Sequence, residues 1–357
     1  MALLAIALSG GIDSSVAAVL LKKKWPAMVG ASHFIWPESR CCSAEVFSRA
    51  RMLCERLKIS YHQVDLYPEF KELVVGNFVA TYLRGKTPNP CLICNQSIRF
   101  DLFYHRLEDL LRGKNPPAEG GQGEPLFFAT GHYVRIVRNN NGLFLAKAKD
   151  RAKDQSYMLY RIKKEMLEYL VFPLGDYLKF EVNELAAQAG LGYEGVGESQ
   201  DACFVDTDYP DFLRRQTGKI DLLKPGEIVD LKGKRLGKHR GYLYYTVGQR
   251  RGLGLGNGPW YVQRLDAEKN LVYVARKEEA ELKSFRVENL NLFVPDLQER
   301  ASLEVKIRYQ SGEMPCRLEG AAGGRLQVIL ERPDIVTPGQ SAVFYENDLV
   351  VGGGIIC

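Results

Sequence analysis

An apolar run, Leu3-Leu4-Ala5-Ile6-Ala7-Leu8, leads straight into Ser9-Gly10-Gly11-Ile12-Asp13-Ser14-Ser15 and then Val16-Ala17-Ala18-Val19-Leu20-Leu21. The first run has the length of a buried strand, and the last has the character of a helix's opening turns. Two glycines between strand and helix let the backbone come close to a ligand and take unusual dihedrals. Free N–H groups at the helix N-terminus then point at an anion, with the macrodipole behind them. Ser9, Ser14 and Ser15 add hydroxyls, and Asp13 either caps the helix or holds a magnesium ion. A strand–loop–helix unit of this kind commits the N-terminal half to an α/β sheet with a phosphate site at its edge.

No Gly-Lys-Ser/Thr step is present, which excludes a Walker loop, and no G-x-G-x-x-G opens a dinucleotide fold. The heptapeptide instead resembles the S-G-G-x-D-S signature of the PP-loop ATP pyrophosphatases. That resemblance implies a grip on pyrophosphate and transfer of AMP to a carbonyl oxygen. The bland alternative, an ordinary glycine turn capped by Asp or Ser, would suit a lone Ser-Gly-Gly better than this full motif.

The chain's 357 residues exceed one ordinary core and predict two or three domains. No stretch is long and apolar enough for a membrane span, and the N-terminal run lacks a signal-peptide layout, so a cytoplasmic protein is expected. Eight cysteines then point to thiol or metal chemistry in preference to a disulfide framework. Net charge is only +5, but residues 214–251 hold eleven Lys and Arg against three Asp and Glu. This segment is either a solvated face or a surface for phosphate backbones.

Met28 to Trp36 reads as a second strand, and Ser43 opens an amphipathic helix with Val46, Phe47, Ala50, Leu53 and Leu57 on one face. Tyr61 to Leu66 alternates like a strand, 69–83 and 98–111 have helical period, and 113–125 is a Gly/Pro-rich surface insertion. Leu126–Thr130 is a further strand, and Asn139-Asn140-Asn141-Gly142 turns a hairpin. Helical patterns recur at 163–170 and 180–189. Strand–helix alternation predicts a parallel sheet covered by helices, with ligands beyond the strands' carboxyl ends. Beyond about Asp206 helical period fades into short strands, and from about Phe285 a small all-β domain is expected.

Two cysteine-bearing stretches carry further chemistry. In Thr87-Pro88-Asn89-Pro90-Cys91-Leu92-Ile93-Cys94-Asn95 the prolines predict a stiff, extended loop presenting Cys91 and Cys94. A zinc half-site, a redox dithiol and a catalytic or cluster-binding pair all fit that spacing. Zinc ranks last, because Cys41-Cys42 has the wrong spacing to complete it. Glu198-Ser199-Gln200-Asp201-Ala202-Cys203-Phe204 is a polar loop whose Cys203 matters only if the fold brings it to Cys94. Cys54, Cys316 and Cys357 read as bland.

Taken in order, Ser9–Ser15, Thr87-Pro88-Asn89-Pro90, Cys94-Asn95, Ala129-Thr130-Gly131-His132-Tyr133, Lys153-Asp154-Gln155-Ser156-Tyr157, Cys203-Phe204 and Gly248-Gln249-Arg250 together resemble the bacterial tRNA-specific 2-thiouridylases (MnmA). The resemblance implies a PP-loop domain of the adenine nucleotide alpha hydrolase type over 1–207. A small basic tRNA-binding domain over 208–283 and a C-terminal β-barrel over 284–357 would follow. ATP and Mg2+ would be used at Ala7, Leu8, Ser9, Gly10, Gly11, Ile12, Asp13 and Ser14, with His33 and Gly131 beside the nucleotide. Asn89, Pro90 and Cys91 would meet the target base. His132, Lys153, Asp154, Gln155, Arg308, Tyr309 and Gln340 would contact tRNA.

By the same resemblance, AMP transfer turns the uridine C2 oxygen into a leaving group. An outside donor protein loads Cys203 as a persulfide, and Cys94 releases the sulfur by forming a disulfide with it. The base must be everted to reach such a site. One departure stands out. Many members carry Asp where this chain has Cys91, and a thiol, largely protonated at neutral pH, is no replacement for a carboxylate. Cys91, Cys94 and Cys203 would instead make a three-thiolate set able to hold a 4Fe–4S cluster with one open iron, as in related tRNA thiolases. The competing readings are a PP-loop ligase or amidotransferase, which would need neither cysteine, and a non-catalytic RNA-binding module, which would not need the loop.

Overall fold

The computed structural model describes residues 2–37, 39, 42–112, 125–192, 202–218, 223–321 and 323–357. The strands are β1 (Leu3–Ala7), β2 (Met28–Phe34), β3 (Tyr61–Asp65), β4 (Leu126–Ala129), β5 (Arg135–Asn139), β6 (Gly142–Ala146), β7 (Leu170–Val171), β8 (Gly226–Val229), β9 (Arg235–His239), β10 (Tyr261–Asp266), β11 (Leu271–Ala275), β12 (Leu282–Leu292), β13 (Leu303–Lys306), β14 (Met314–Ala321), β15 (Arg325–Asp334), β16 (Ser341–Glu346) and β17 (Leu349–Ile356). The helices used below are α1 (Ile12–Lys22), α2 (Ala44–Leu57), α3 (Tyr67–Phe70), α4 (Asn77–Leu83), α5 (Pro90–Ile93), α6 (Phe103–Arg112), α7 (Ser156–Leu159), α8 (Lys179–Gln188) and α9 (Tyr209–Thr217). The chain divides into two units: Met1–Leu73 with Cys91–Phe204 and Asp348–Val350, and Val74–Pro90 with Val205–Asn347 and Val351–Cys357.

The first unit is built on a parallel sheet of order β3-β2-β1-β4-β7. Central β1 pairs β2 on one side and β4 on the other, with Ala5 opposite both Val29 and Phe128. Leu4, Ala5 and Ile6 are fully buried, as a strand covered on both faces must be. The chain winds outward from β1 to β3 and restarts at β4 on the other side of β1. The order therefore reverses between β1 and β4, where open α/β sheets leave a crevice for ligands. Val16, Ala17, Ala18 and Leu21 of α1 close on the sheet with Leu53 and Cys54 of α2. Each fully buried Leu or Val here contributes about 1.5–3 kcal/mol. Ser43 caps α2 as expected, its side chain accepting from Val46 N at 3.3 Å.

The second unit holds a four-stranded sheet, β10-β11-β8-β9, and a closed barrel. The barrel runs β12-β15-β14-β13-β16-β17 and shuts by pairing β17 back onto β12, Val287 opposite Ile356. Closure leaves no open sheet edge.

Several local expectations change. Residues 90–112 are helical without a break, α5 passing into a π-helix, Cys94–Leu102, and then α6. Pro90 opens the first turn, where its missing N–H costs nothing, so Cys91 and Cys94 lie on a helix and not on an extended loop. The 69–83 segment likewise passes through a π-turn, Lys71–Gly76. The 163–170 segment is a short 3-10 helix. Past Asp206 helix persists in α9, with Asp208 accepting from Asp211 N and Gly218 ending it at φ +66. The insertion at 113–124, Cys41, and residues 193–201 ahead of Cys203 lie outside the described residues. No helix among the described residues is long and apolar enough to cross a membrane.

Candidate active site at the carboxyl edge of the parallel sheet

The loop after β1 is braced by its own hydroxyls. Ser14 Oγ accepts from Ser9 N at 3.2 Å and donates to Gly11 O at 3.1 Å, while Ser15 Oγ donates to Gly11 O at 2.9 Å. Gly10 takes φ +66, and a Cβ there would come within 2.8 Å of Val46 O in the first turn of α2. Only glycine fits. Gly131, after β4, is held by contact instead: a Cβ would lie 2.7 Å from Ser14 N and 2.8 Å from Asp13 C. The bare Cα of Gly131 thus closes one side of the loop across the β1/β4 crevice.

Asp13 does not cap α1, whose N-cap is Gly11 with no side-chain bond. Its Oδ1 instead accepts from Lys179 Nζ at 2.6 Å and Tyr133 OH at 2.9 Å. Lys179 is the first residue of α8, 166 positions along the chain, and Tyr133 follows the Gly131-His132 step. A cation at a helix N-terminus opposes the macrodipole, and that anomaly is the signal in the sequence that could have singled Lys179 out. Asp13 Oδ2 keeps its capacity for a cation, the carboxylate donor Mg2+ takes alongside substrate phosphates.

The Thr130–His132 segment carries a second network. Arg99 Nη1 donates to Asn95 Oδ1 at 2.6 Å and stands 3.3 Å from His132 Nε2, and Asn95 Nδ2 donates to Met158 O at 3.0 Å. A guanidinium only donates, so His132 Nε2 accepts and its proton sits on Nδ1, donating to Thr130 Oγ1 at 2.7 Å. Burial, with the Arg99 charge beside it, holds the His132 pKa well below its ordinary value. His33, at the end of β2 with its ring 4.9 Å from Phe103, is lowered to about 3 by burial and then by Arg99.

Both histidines are therefore neutral when folded and titrate near 6.5 when unfolded. Stability is full above about pH 6.5 and falls below it, because the unfolded chain takes up protons that the folded one refuses. The slope is at most about 1.4 kcal/mol per histidine per pH unit. Urea midpoints at pH 7.5 and 5.5 should show the loss, and His132→Asn should flatten the slope. A slope unchanged by that substitution contradicts the assignment.

The remaining expected residues divide between the two units. In the first, Cys91 is exposed, Cys94 and Cys203 are half-buried, and none of the three is in a disulfide. Phe204 stacks edge-on with Trp36 at 6.1 Å and Phe70 at 5.7 Å, and α3, which ends at Phe70, packs on the π-helix that Cys94 opens. Among the described residues no three His, Cys, Asp or Glu side chains are gathered to hold a metal ion. Asp154 is buried, accepting from Ala148 N at 2.9 Å and Ser156 Oγ at 2.7 Å, and Gln155 Oε1 accepts from Tyr133 N at 2.9 Å. These two side chains set the shape of the Lys153–Tyr157 turn leading into α7. Sequence reasoning missed Arg161, whose Nε donates to Gln96 Oε1 at 2.5 Å.

In the second unit Gln340 Nε2 donates to Thr87 O at 2.9 Å and Thr87 N to Pro338 O at 2.9 Å. The Thr87–Asn89 segment is thus tied to the 338–340 turn. Arg308 Nη2 bridges both oxygens of Asp334 at 3.1 Å, and Tyr309 lies under Lys306 Nζ at 5.8 Å. In the basic segment Arg240 stacks on Tyr244 at 4.0 Å. Gln249 Oε1 accepts from Thr246 N at 3.1 Å, fixing the Gly248-Gln249-Arg250 turn.

Three family models match in succession: a tRNA methyl transferase HUP domain over residues 2–207, a tRNA methyl transferase PRC-barrel domain over 211–276, and an aminomethyltransferase beta-barrel domain over 282–356. The tRNA-specific 2-thiouridylase MnmA of Geobacter metallireducens is 41% identical over 366 residues, covering 98% of this chain and 95% of that protein. Those of Moorella thermoacetica and Acetivibrio thermocellus are 39% and 38% identical, each covering 98% of both chains. With a pyrophosphate-type loop, its glycine partner across the crevice and relatives aligned over nearly the whole length, this chain belongs to the tRNA-specific 2-thiouridylase (MnmA) family.

Proposed function

We propose that this chain uses ATP to replace the C2 oxygen of the wobble uridine of tRNA by sulfur. The observation that carries this is the braced Ser9–Ser14 loop at the β1/β4 switch point, closed by the bare Cα of Gly131. That cradle fits an anion approached by backbone N–H groups, as a nucleotide's pyrophosphate is. Magnesium fits the donor set through the Asp13 carboxylate and would neutralise charge on the phosphates.

The uridine O2 attacks the α-phosphorus, the bond to the bridging oxygen breaks, and pyrophosphate leaves. The C2–O bond is now activated. Cys94 thiolate attacks the inner sulfur of a Cys203 persulfide, giving a Cys94–Cys203 disulfide and hydrosulfide. Hydrosulfide adds to C2, AMP leaves with the original oxygen, and an external dithiol reduces the disulfide. A persulfide-carrying donor protein reloads Cys203.

The residues divide by role. Ala7–Ser14, His33 and Gly131 serve the nucleotide. Asn89, Pro90 and Cys91 serve the base, with the others of the tRNA set along the RNA. The basic stretch 214–251 belongs to a 208–283 tRNA-binding domain between a 1–207 catalytic domain and a 284–357 barrel. A tRNA substrate favours work in the cytoplasm.

Two of the matched family descriptions name a methyl transferase. A methyl transfer has no use for a pyrophosphate loop or for a pair of thiols, so sulfur transfer suits these residues better. Incubation with tRNA, labelled ATP and a persulfide donor should give thiolated tRNA with one AMP and one pyrophosphate per sulfur. AMP release without thiolation under reducing conditions would point to the ligase reading.

A further inference from the structure

Arg99 lies between Ile98 and Phe100, both buried in the core, yet its own guanidinium stays at the carboxyl edge of the sheet. Both its hydrogen bonds, to Asn95 Oδ1 at 2.6 Å and toward His132 Nε2 at 3.3 Å, come from Nη1 and end on neutral groups. No carboxylate among the described residues pairs with it. Its Nε and Nη2 are not among the fully buried unpartnered atoms, so that edge of the fork is not sealed inside the core. A guanidinium stays charged at every working pH, and a half-buried one without a counter-ion is preorganised for an anion.

Its position says which anion. Arg99 acts electrostatically on His33 at the end of β2 and on His132 after β4, the strands on either side of β1. The β1 end carries the Ser9–Ser14 loop. The segment that touches Arg99 through His132 touches Ser14 N through Gly131 one residue earlier. The two rings are neutral and cannot take the anion themselves. His132 is fixed by Thr130 in the tautomer whose lone pair faces Arg99, which holds Nη1 and leaves the Nε/Nη2 edge to present two parallel N–H groups.

We propose that Arg99 clamps the α-phosphate of the nucleotide, and then that of the adenylated uridine, by its Nε/Nη2 edge. This rests on the ATP-dependent reading above and extends it to one residue. The Ser9–Ser14 loop holds the part of ATP that departs as pyrophosphate. Arg99 holds the phosphate that stays, so its contact persists from ATP to AMP. Asn95 and His132 are positioning residues for it.

Binding of AMP and of adenosine to the full chain separates this from a structural role, because only AMP carries the phosphate. Titrating both into wild type, R99M and R99K, R99M should weaken AMP by about 10- to 100-fold, as loss of charge-assisted hydrogen bonds does. Adenosine should stay within about twofold, and R99K should recover part of the AMP affinity, a point charge replacing a fork. Three results overturn the assignment. The first is R99M binding AMP like wild type, and the second is loss of AMP and adenosine in parallel. The third is weakened tRNA binding with an unchanged AMP-to-adenosine ratio, which would assign Arg99 to an RNA phosphate. If R99M does not fold, R99K alone decides: a wild-type AMP-to-adenosine ratio with reduced tRNA affinity overturns the clamp. Wild type that binds neither AMP nor adenosine removes the nucleotide reading itself, a failure distinct from the others.

Discussion

Cys203→Ala is expected to abolish sulfur transfer, by at least about 10³-fold, while adenylation of tRNA continues. The two half-reactions use separate chemistry. Activation in the proposed reaction uses the Ser9–Ser14 cradle, and the loop's hydrogen bonds and its Gly131 contact do not involve Cys203. Alanine at 203 removes the proposed sulfur carrier and leaves Phe204 stacked on Trp36 and Phe70, so the fold should be unchanged. The measurement is paired: pyrophosphate released from labelled ATP with tRNA present, and thiouridine in the recovered tRNA. Pyrophosphate without thiouridine is the expected outcome. Normal thiolation by Cys203→Ala would move the persulfide elsewhere, and Cys91, exposed one helical turn before Cys94, would be the first place to look.

Gly131→Ala should fail in the opposite way and lose both half-reactions. The added Cβ meets Ser14 N and Asp13 C, atoms of the backbone that cannot turn aside as a side chain could. Either the 130–132 segment or the first turn of α1 must shift by several tenths of an ångström. A misplacement of about 1 Å at a reacting centre costs about 10²-fold in rate, so a loss of about 10-fold or more is expected. Overpacking adds about 1–3 kcal/mol of destabilisation. That is a melting-point fall of several degrees for a unit of this size. Steady-state AMP release against ATP concentration, with a melting curve beside it, checks both. Wild-type kcat/KM for ATP in Gly131→Ala would mean the crevice between β1 and β4 is not where the nucleotide sits.

The sequence showed those parts of the site that are contiguous. A strand, two glycines, hydroxylated residues and a helix leave a local signature, and the loop is where that signature put it. Lys179 could not be found by spacing, because 166 residues separate it from Asp13 and only the winding of the sheet joins them. Arg99 was hidden differently: in a mixed polar stretch, one arginine looks like a solvated face residue until its neighbours Ile98 and Phe100 are known to be buried. The Pro88 and Pro90 pair predicts an extended loop because proline in a first turn and proline as a breaker look alike along the chain. Helix α9 was missed because its ends, Asp208 with Pro210 and Gly218, mark it better than its period does. The three-thiol set rests on residue types, because nothing along the chain says how far Cys203 lies from Cys91 and Cys94 once folded. The barrel, by contrast, was legible, since short alternating strands between glycine and proline turns leave few other architectures.

The central claim is that the uridine oxygen is activated by AMP and leaves with it. The most direct test is to run the thiolation on tRNA carrying 18O at C2 of the wobble uridine and to weigh the products. One 18O in AMP and none in pyrophosphate is the result this account predicts. Label in pyrophosphate, in inorganic phosphate or retained in the thiolated tRNA would contradict it.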